Sequence, residues 1–247
     1  MGFKSGRNVI LPGMKVRVAE LDGAVLHFDV SSQARRVSAR WRGGELRVVT
    51  PAGKDLDDVV RWLLSIREKI LSKRPLVTFY EGQVMEFDGF RVTIKRQSLH
   101  PSKLTLTGEH LSPVISVGSA LDLDNDEVKA LISRLMCVAA KAIAPTILLP
   151  YAARVAESLG VRPRGWKVST GHRTLGTCNR DGVVSLSAVL VFLPPDLREY
   201  IVCHELAHLS EMNHSPEFHA LCDSYLGGRE RELERKLKKF KWPILKL

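Results

Sequence analysis

Cysteine is scarce in this chain and shows no arrangement that would build a framework. Cys137, Cys178, Cys203 and Cys222 are the only four in 247 residues, and no two make a C-x-x-C pair. That excludes a thiol-built zinc finger, and it fits free thiols in a reducing compartment better than a disulfide scaffold. No uninterrupted apolar run approaches the ~18 residues of a membrane span. The opening Met1-Gly2-Phe3-Lys4-Ser5-Gly6 has neither a signal-peptide core nor the residue a myristoylation signal needs. A cytoplasmic protein with no membrane partner is therefore expected. A G-x-x-x-x-G-K-[ST] phosphate loop, a helix-turn-helix pattern and an aromatic RNA-binding signature are also missing. So are internal repeats and low-complexity tracts.

Charge is plentiful and one-sided. Thirty-seven Lys and Arg against 27 Asp and Glu give a net +10, which would favour an anionic partner. Many proteins are as basic without one, so charge alone does not assign nucleic-acid binding.

The chemistry concentrates in His204-Glu205-Leu206-Ala207-His208. On a helix, imidazoles at i and i+4 share one face with Cβ atoms about 5–6 Å apart, which suits two ligands of one tetrahedral Zn2+. Glu205 is one residue further round and stands beside such an ion, where it can accept a proton from an attacking water. By chance alone this five-residue pattern arises in roughly 1–2% of chains with this many histidines. A catalytic zinc needs a third protein ligand, and His214 is the candidate. Continued helix would place it about 240° round from His208, so the helix has to end first. Asn213 suits a left-handed helix end, and Ser215-Pro216-Glu217 reads as N-cap, first-turn proline and first-turn acid.

Around this motif the chain reads as α+β. Strands are expected at Met14–Glu20, Ala24–Val30, Arg35–Trp41 and Glu45–Thr50, with turns at Asp22-Gly23 and Gly43-Gly44. A helix over Asp55–Leu71 follows, with Trp62 read as a packing residue. Asp88-Gly89 marks a hairpin between Gln83–Phe87 and Phe90–Lys95, with further strands at Lys103–Gly108 and Pro113–Val117. Composition changes near residue 118, so 1–118 is expected as a β-rich unit with one helix and 119–247 as the catalytic domain. In the latter an apolar helix should run from Val128 to Ile143, with a kink or fresh start at Pro145. Strands at Trp166–Thr170 and Val183–Ser187 should flank a polar connection over Gly171–Asp181, before a helix Leu197–Glu211 carries the motif. A further helix is expected from Pro216, and Arg229–Lys241 should form a solvated, charged segment. His27, His100 and His110 lack ligand spacing.

The motif, with Asn213-His214-Ser215, Phe218 and Leu193-Pro194-Pro195, resembles the YgjP-like family of metallopeptidases. It is more distantly similar to SprT-like zinc proteases, which carry His-Gly-Pro-Glu-Phe where this chain has His214-Ser215-Pro216-Glu217-Phe218. The resemblance implies a zincin-like domain of backing helices, small sheet, active-site helix and C-terminal helix. It implies zinc held by His204, His208 and His214, with Glu205 as general base. The family's Trp-Gly-Ser-Cys is Leu175-Gly176-Thr177-Cys178 here, and His219 replaces a tryptophan, so His219 becomes a possible substrate-contacting or ligand-supporting group. His172, Arg173 and His219 are candidates to stabilise an oxyanion. Metzincin membership fails, because Glu211 stands where that motif needs glycine and no methionine follows Met212. A peptide or protein substrate is expected. The family's link to uridine triphosphate cleavage makes a nucleotide substrate the alternative, and a non-catalytic protein stapled by zinc is a third possibility.

Overall fold

The computed structural model describes residues 4–5, 16–21, 24–42, 45–74, 77–171 and 174–245. The turns expected at Asp22-Gly23 and Gly43-Gly44 lie outside them. The described residues fall into two compact units, one from 1–78, 122–131 and 244–247, the other from 79–121 and 132–243. Contact thus groups the strands of 84–118 with the helices that follow them, a different cut from the composition change near 118.

In the first unit β1 (Lys4–Ser5), β2 (Val16–Leu21), β3 (Ala24–Ser31), β4 (Ser38–Arg42) and β5 (Glu45–Pro51) form one sheet in the order β1-β2-β3-β5-β4. Only β3 and β5 run parallel, setting Leu26 opposite Leu46 and Phe28 opposite Val48. Alternate residues share a face, and these four are buried together. Val59 and Leu63 of α1 (Leu56–Ser65) and Ile70 of α2 (Arg67–Leu71) complete that core. Asp55 caps α1 by accepting from the Asp57 N–H at 2.7 Å. The one helix expected over Asp55–Leu71 is interrupted at Ile66, where φ is −112° and ψ is 16°. Trp62 packs half-buried against the core, as expected.

The second unit holds two sheets. β6 (Val84–Phe87), β7 (Phe90–Gln97), β8 (Leu104–Glu109) and β9 (Ser112–Gly118) are ordered β6-β7-β9-β8, with β7 and β9 parallel. The Asp88-Gly89 hairpin forms as read: Phe87 pairs with Phe90, and Gly89 takes a φ of +89° that a side chain would resist. The smaller sheet, β10 (Gly165–Ser169), β11 (Gly176–Cys178) and β12 (Val183–Ser187), is ordered β10-β12-β11, so β11 is an edge strand. β11 lies inside the segment read from sequence as a polar connection. Three residues are too short for an alternation signal, and β11 is held by pairing with β12.

α3 runs unbroken from Asp126 to Ser158 with Pro145 and Pro150 inside it, so of the kink or fresh start expected at Pro145 the fresh start does not occur. Each interior proline costs about 3 kcal/mol. Against that, Ile132, Met136, Ile143 and Leu148 are buried, each stabilising by about 1.5–3 kcal/mol. By length and composition alone α3 is also apolar enough to cross a membrane, which counting uninterrupted apolar runs had missed. A buried core helix passes the same test, and 44% of its most apolar stretch is enclosed.

A buried 3₁₀ turn (Ala188–Phe192) leads into α4 (Pro195–Ala207), with Pro195 in the first turn. Arg198 anchors α4 to the β6–β7 hairpin. It is 1% exposed, donates to Asp88 Oδ2 at 2.9 Å and to the Leu193 carbonyl at 3.1 Å, and stacks over Tyr151. Two short helices follow, α5 (Pro216–Tyr225) and α6 (Glu230–Lys239), separated by Gly227 and Gly228 at φ of +61° and +82°.

Candidate metal centre

The helix carrying the motif ends sooner than its sequence suggests. α4 stops at Ala207, not Glu211, and His208 is its C-cap. The bonds Leu209 N–H to Leu206 O and Ser210 N–H to Ala207 O tighten the last turn. The His208 ring then takes the Glu211 carbonyl at 2.9 Å through Nδ1. Downstream, the Ser215 side chain accepts the Phe218 N–H at 3.3 Å and opens α5 with Pro216 in its first turn, as read from sequence. The early stop and the new start turn the connecting loop back over α4.

The consequence is that His204, His208 and His214 meet. Their ring centroids are 4.8–5.1 Å apart, and one donor atom from each lies within 4.8 Å of the others. His204 Nε2 and His214 Nε2 are 3.1 Å apart. Two nitrogens about 2.0–2.1 Å from one tetrahedral ion stand about 3.3–3.4 Å apart, so this pair is nearly set for a shared cation. The bond from His208 Nδ1 to Glu211 leaves its Nε2 as the free lone pair, the tautomer a metal ligand needs. Fully buried Phe218 is the floor of the cluster, its ring stacked on His208 at 4.4 Å and within 4.9 Å of the other two. Burial, then the neighbouring histidines, lowers the pKa of His204 to about 4 and shifts His214 the same way. Both rings are therefore neutral at pH 7, as coordination requires.

Glu205 lies beside this cluster, 5% exposed, and burial raises its pKa from 4.5 to about 7. A carboxyl poised near neutral pH suits proton transfer in either direction. Its room is made by Gly176: a Cβ there would come within 2.5 Å of Glu205 Cγ and Oε1. Edge strand β11 thus lies directly on the carboxyl, and the nearby Cys178 thiol is raised by burial and by Glu205.

His219 stands next to the cluster, 6.3 Å from the His214 ring, with Nδ1 at 2.8 Å from Glu230 Oε1. Glu230 is buried, and its own N–H donates to Asp223 Oδ1 at 2.9 Å. Sequence reading missed Glu230, taking its segment for a solvated face. Its only signal was a leucine at i+3, Leu233, which is also buried. A second donor set, His204, Cys222 and Glu230, also lies within 4.8 Å and shares His204 with the first. His172 and Arg173 lie outside the described residues. A cavity of about 850 Å³ opens on His204 and His214, with Asp223, Glu230, Glu234, Arg231 and His219 in its wall.

A family model described as YgjP-like, metallopeptidase domain, matches residues 35–240. The chain belongs to the YgjP-like metallopeptidase family. Neither the curated proteins nor the solved structures gave a match. Family membership makes the chain a metallopeptidase-type protein, and its three clustered histidines can hold a metal ion.

Proposed function

We propose that this YgjP-like chain is a zinc-dependent peptidase in which His204, His208 and His214 hold the metal and Glu205 is the general base. The observation that carries the reading is the convergence of three imidazoles, those of His204 and His214 kept neutral at pH 7 by burial, beside a buried carboxyl whose pKa is raised to about 7. Three nitrogen donors with one position left open suit a catalytic zinc better than a structural one. A bound zinc would supply Lewis acidity to the scissile carbonyl and its attacking water.

The chain's own residues do the rest. Glu205 accepts the proton of the attacking water and can deliver it to the leaving amine, a role open to a carboxyl that titrates near neutrality. Phe218 and the Glu211 carbonyl hold His208 in one orientation. His219, steadied by Glu230, faces the same cavity and is the described candidate for contact with substrate. A buried carboxyl beside only three histidine donors also argues against a zinc that would merely staple helices together.

A nucleoside triphosphate is the less favoured substrate. Asp223, Glu230 and Glu234 line the cavity beside the histidines, and three carboxylates oppose a polyphosphate. The test is to assay zinc-loaded protein on casein and on the four nucleoside triphosphates, with Glu205→Gln as control. Casein cleavage that disappears in the variant, with zinc still bound, is the expected result. Normal turnover in the variant would end the general-base assignment, and triphosphate hydrolysis that depends on Glu205 would favour the nucleotide reading.

A further inference from the structure

Most of the net charge of this protein is carried in sequence by a stretch that does not contain the three clustered histidines. Residues 1–78 hold 15 Lys and Arg against 8 Asp and Glu, which is +7 of the net +10. In the first unit a groove of about 740 Å³ is lined by Arg35, Arg36, Lys54, Asp58 and Trp62, a volume within the ~300–1,000 Å³ of ligand sites. Arg35 and Arg36 are exposed and adjacent, and neither meets a carboxylate among the described residues. Asp58, the one acid in the wall, is shared by Arg61 at 2.6 Å and Lys54 at 3.7 Å, so the groove keeps a positive excess. Trp62 is half-buried: it packs against the core of the unit and also lines the groove.

Two unpaired guanidiniums, a lysine and an indole make a specific combination. Guanidinium groups bind phosphate oxygens in a bidentate fork. An indole offers a flat surface on which any base can stack. Together they fit a chain of nucleotides better than an acidic peptide, which would use the cations and leave the indole idle. Three cations also exceed what one phosphate needs.

We propose that this groove binds single-stranded nucleic acid, with Arg35, Arg36 and Lys54 on successive phosphates and a base stacked on Trp62. This site is separate from the peptidase reading and does not depend on it.

The test is fluorescence anisotropy of the full chain with a fluorescein-labelled oligothymidylate of about 12 nucleotides, a length within known strand site sizes. Saturable binding is expected. It should weaken roughly tenfold between about 50 and 200 mM salt, as two or three phosphate contacts require. Arg35→Glu with Arg36→Glu should weaken it by at least about tenfold. Trp62→Leu should cost roughly fivefold or more, whereas Trp62→Phe, which keeps a ring, should keep most of the binding. Thermal melting of each variant separates lost binding from lost fold, and Lys54→Glu is the substitute if the double reversal does not fold. Absence of saturable binding would overturn the proposal. So would undiminished binding by a folded charge-reversal variant, or equal affinity for free thymidine monophosphate.

Discussion

The two cavities of this protein are opposites in charge and in construction. The one beside His204 and His214 has three carboxylates in its wall, and several of its polar groups are committed to each other: His219 to Glu230, and the Glu230 N–H to Asp223. The groove of the first unit carries Arg35 and Arg36 without acidic partners. Committed, buried groups are what proton transfer and metal binding need, because orientation is settled before substrate arrives. Exposed, uncommitted cations are what a polyanion needs. The net +10 of the chain therefore says little about the chemistry at the histidines.

The largest effect that would sharpen this contrast is expected at Glu205. Glu205→Gln should lower turnover on casein by about 10²–10⁴-fold, with zinc content, measured by elemental analysis, unchanged. Next comes Gly176→Ala. The added Cβ cannot be accommodated without moving Glu205. A displacement of about 1 Å in such a group costs about 10²-fold, so kcat should fall while metal content and melting temperature change little. A fall in melting temperature equal to that of a core cavity would show that Gly176 acts on stability and not on Glu205.

The metal-free protein tests the burial of Glu205 by pH. Its folded pKa of about 7 exceeds the ordinary 4.5, so between those values the folded state holds a proton that the unfolded state has lost. Stability must fall as pH rises from about 4.5 to 7, by on the order of 3 kcal/mol. His204 works the other way: a folded pKa of about 4 makes stability rise as pH increases from about 4 to 6.5. The two contributions oppose each other in the wild type. In Glu205→Gln only the rise should remain, visible as a widening gap between variant and wild type in urea midpoints over this range. A gap independent of pH would contradict the burial of a titrating carboxyl.

Smaller effects belong to the scaffold. Asp88→Ala removes the acidic partner of buried Arg198 and should cost about 2 kcal/mol by chemical denaturation, since the Leu193 carbonyl still accepts from the same guanidinium. Lys236→Ala breaks a surface pair with Asp196 and should cost well under 1 kcal/mol.

The candidate site was legible in sequence where periodicity and capping carry the signal. His204 and His208 needed only the 3.6-residue repeat, and His214 needed the cap at Ser215-Pro216, which the structure contains. The helix end was misplaced by four residues because the His208–Glu211 contact is a side-chain event that no local propensity encodes. Strand β11 was invisible because three residues carry no alternation signal and only pairing with the neighbouring β12 holds them, and the fit of Gly176 against Glu205 because it arises from packing between segments far apart in sequence. In α3 the fresh start that Pro145 allowed does not occur, because tertiary burial outweighs a local breaker. Glu230 was hidden in a run of charge whose other members are mostly solvated, and only its place under His219 distinguishes it.

Convergence of three imidazoles on a single ion is best measured by X-ray absorption on zinc-titrated protein, with His214→Ala alongside. The expected result is one zinc per chain with three nitrogen neighbours at about 2.0–2.1 Å, one of them lost in the variant. Failure to bind zinc at saturation, or an unchanged zinc shell in His214→Ala, would contradict it.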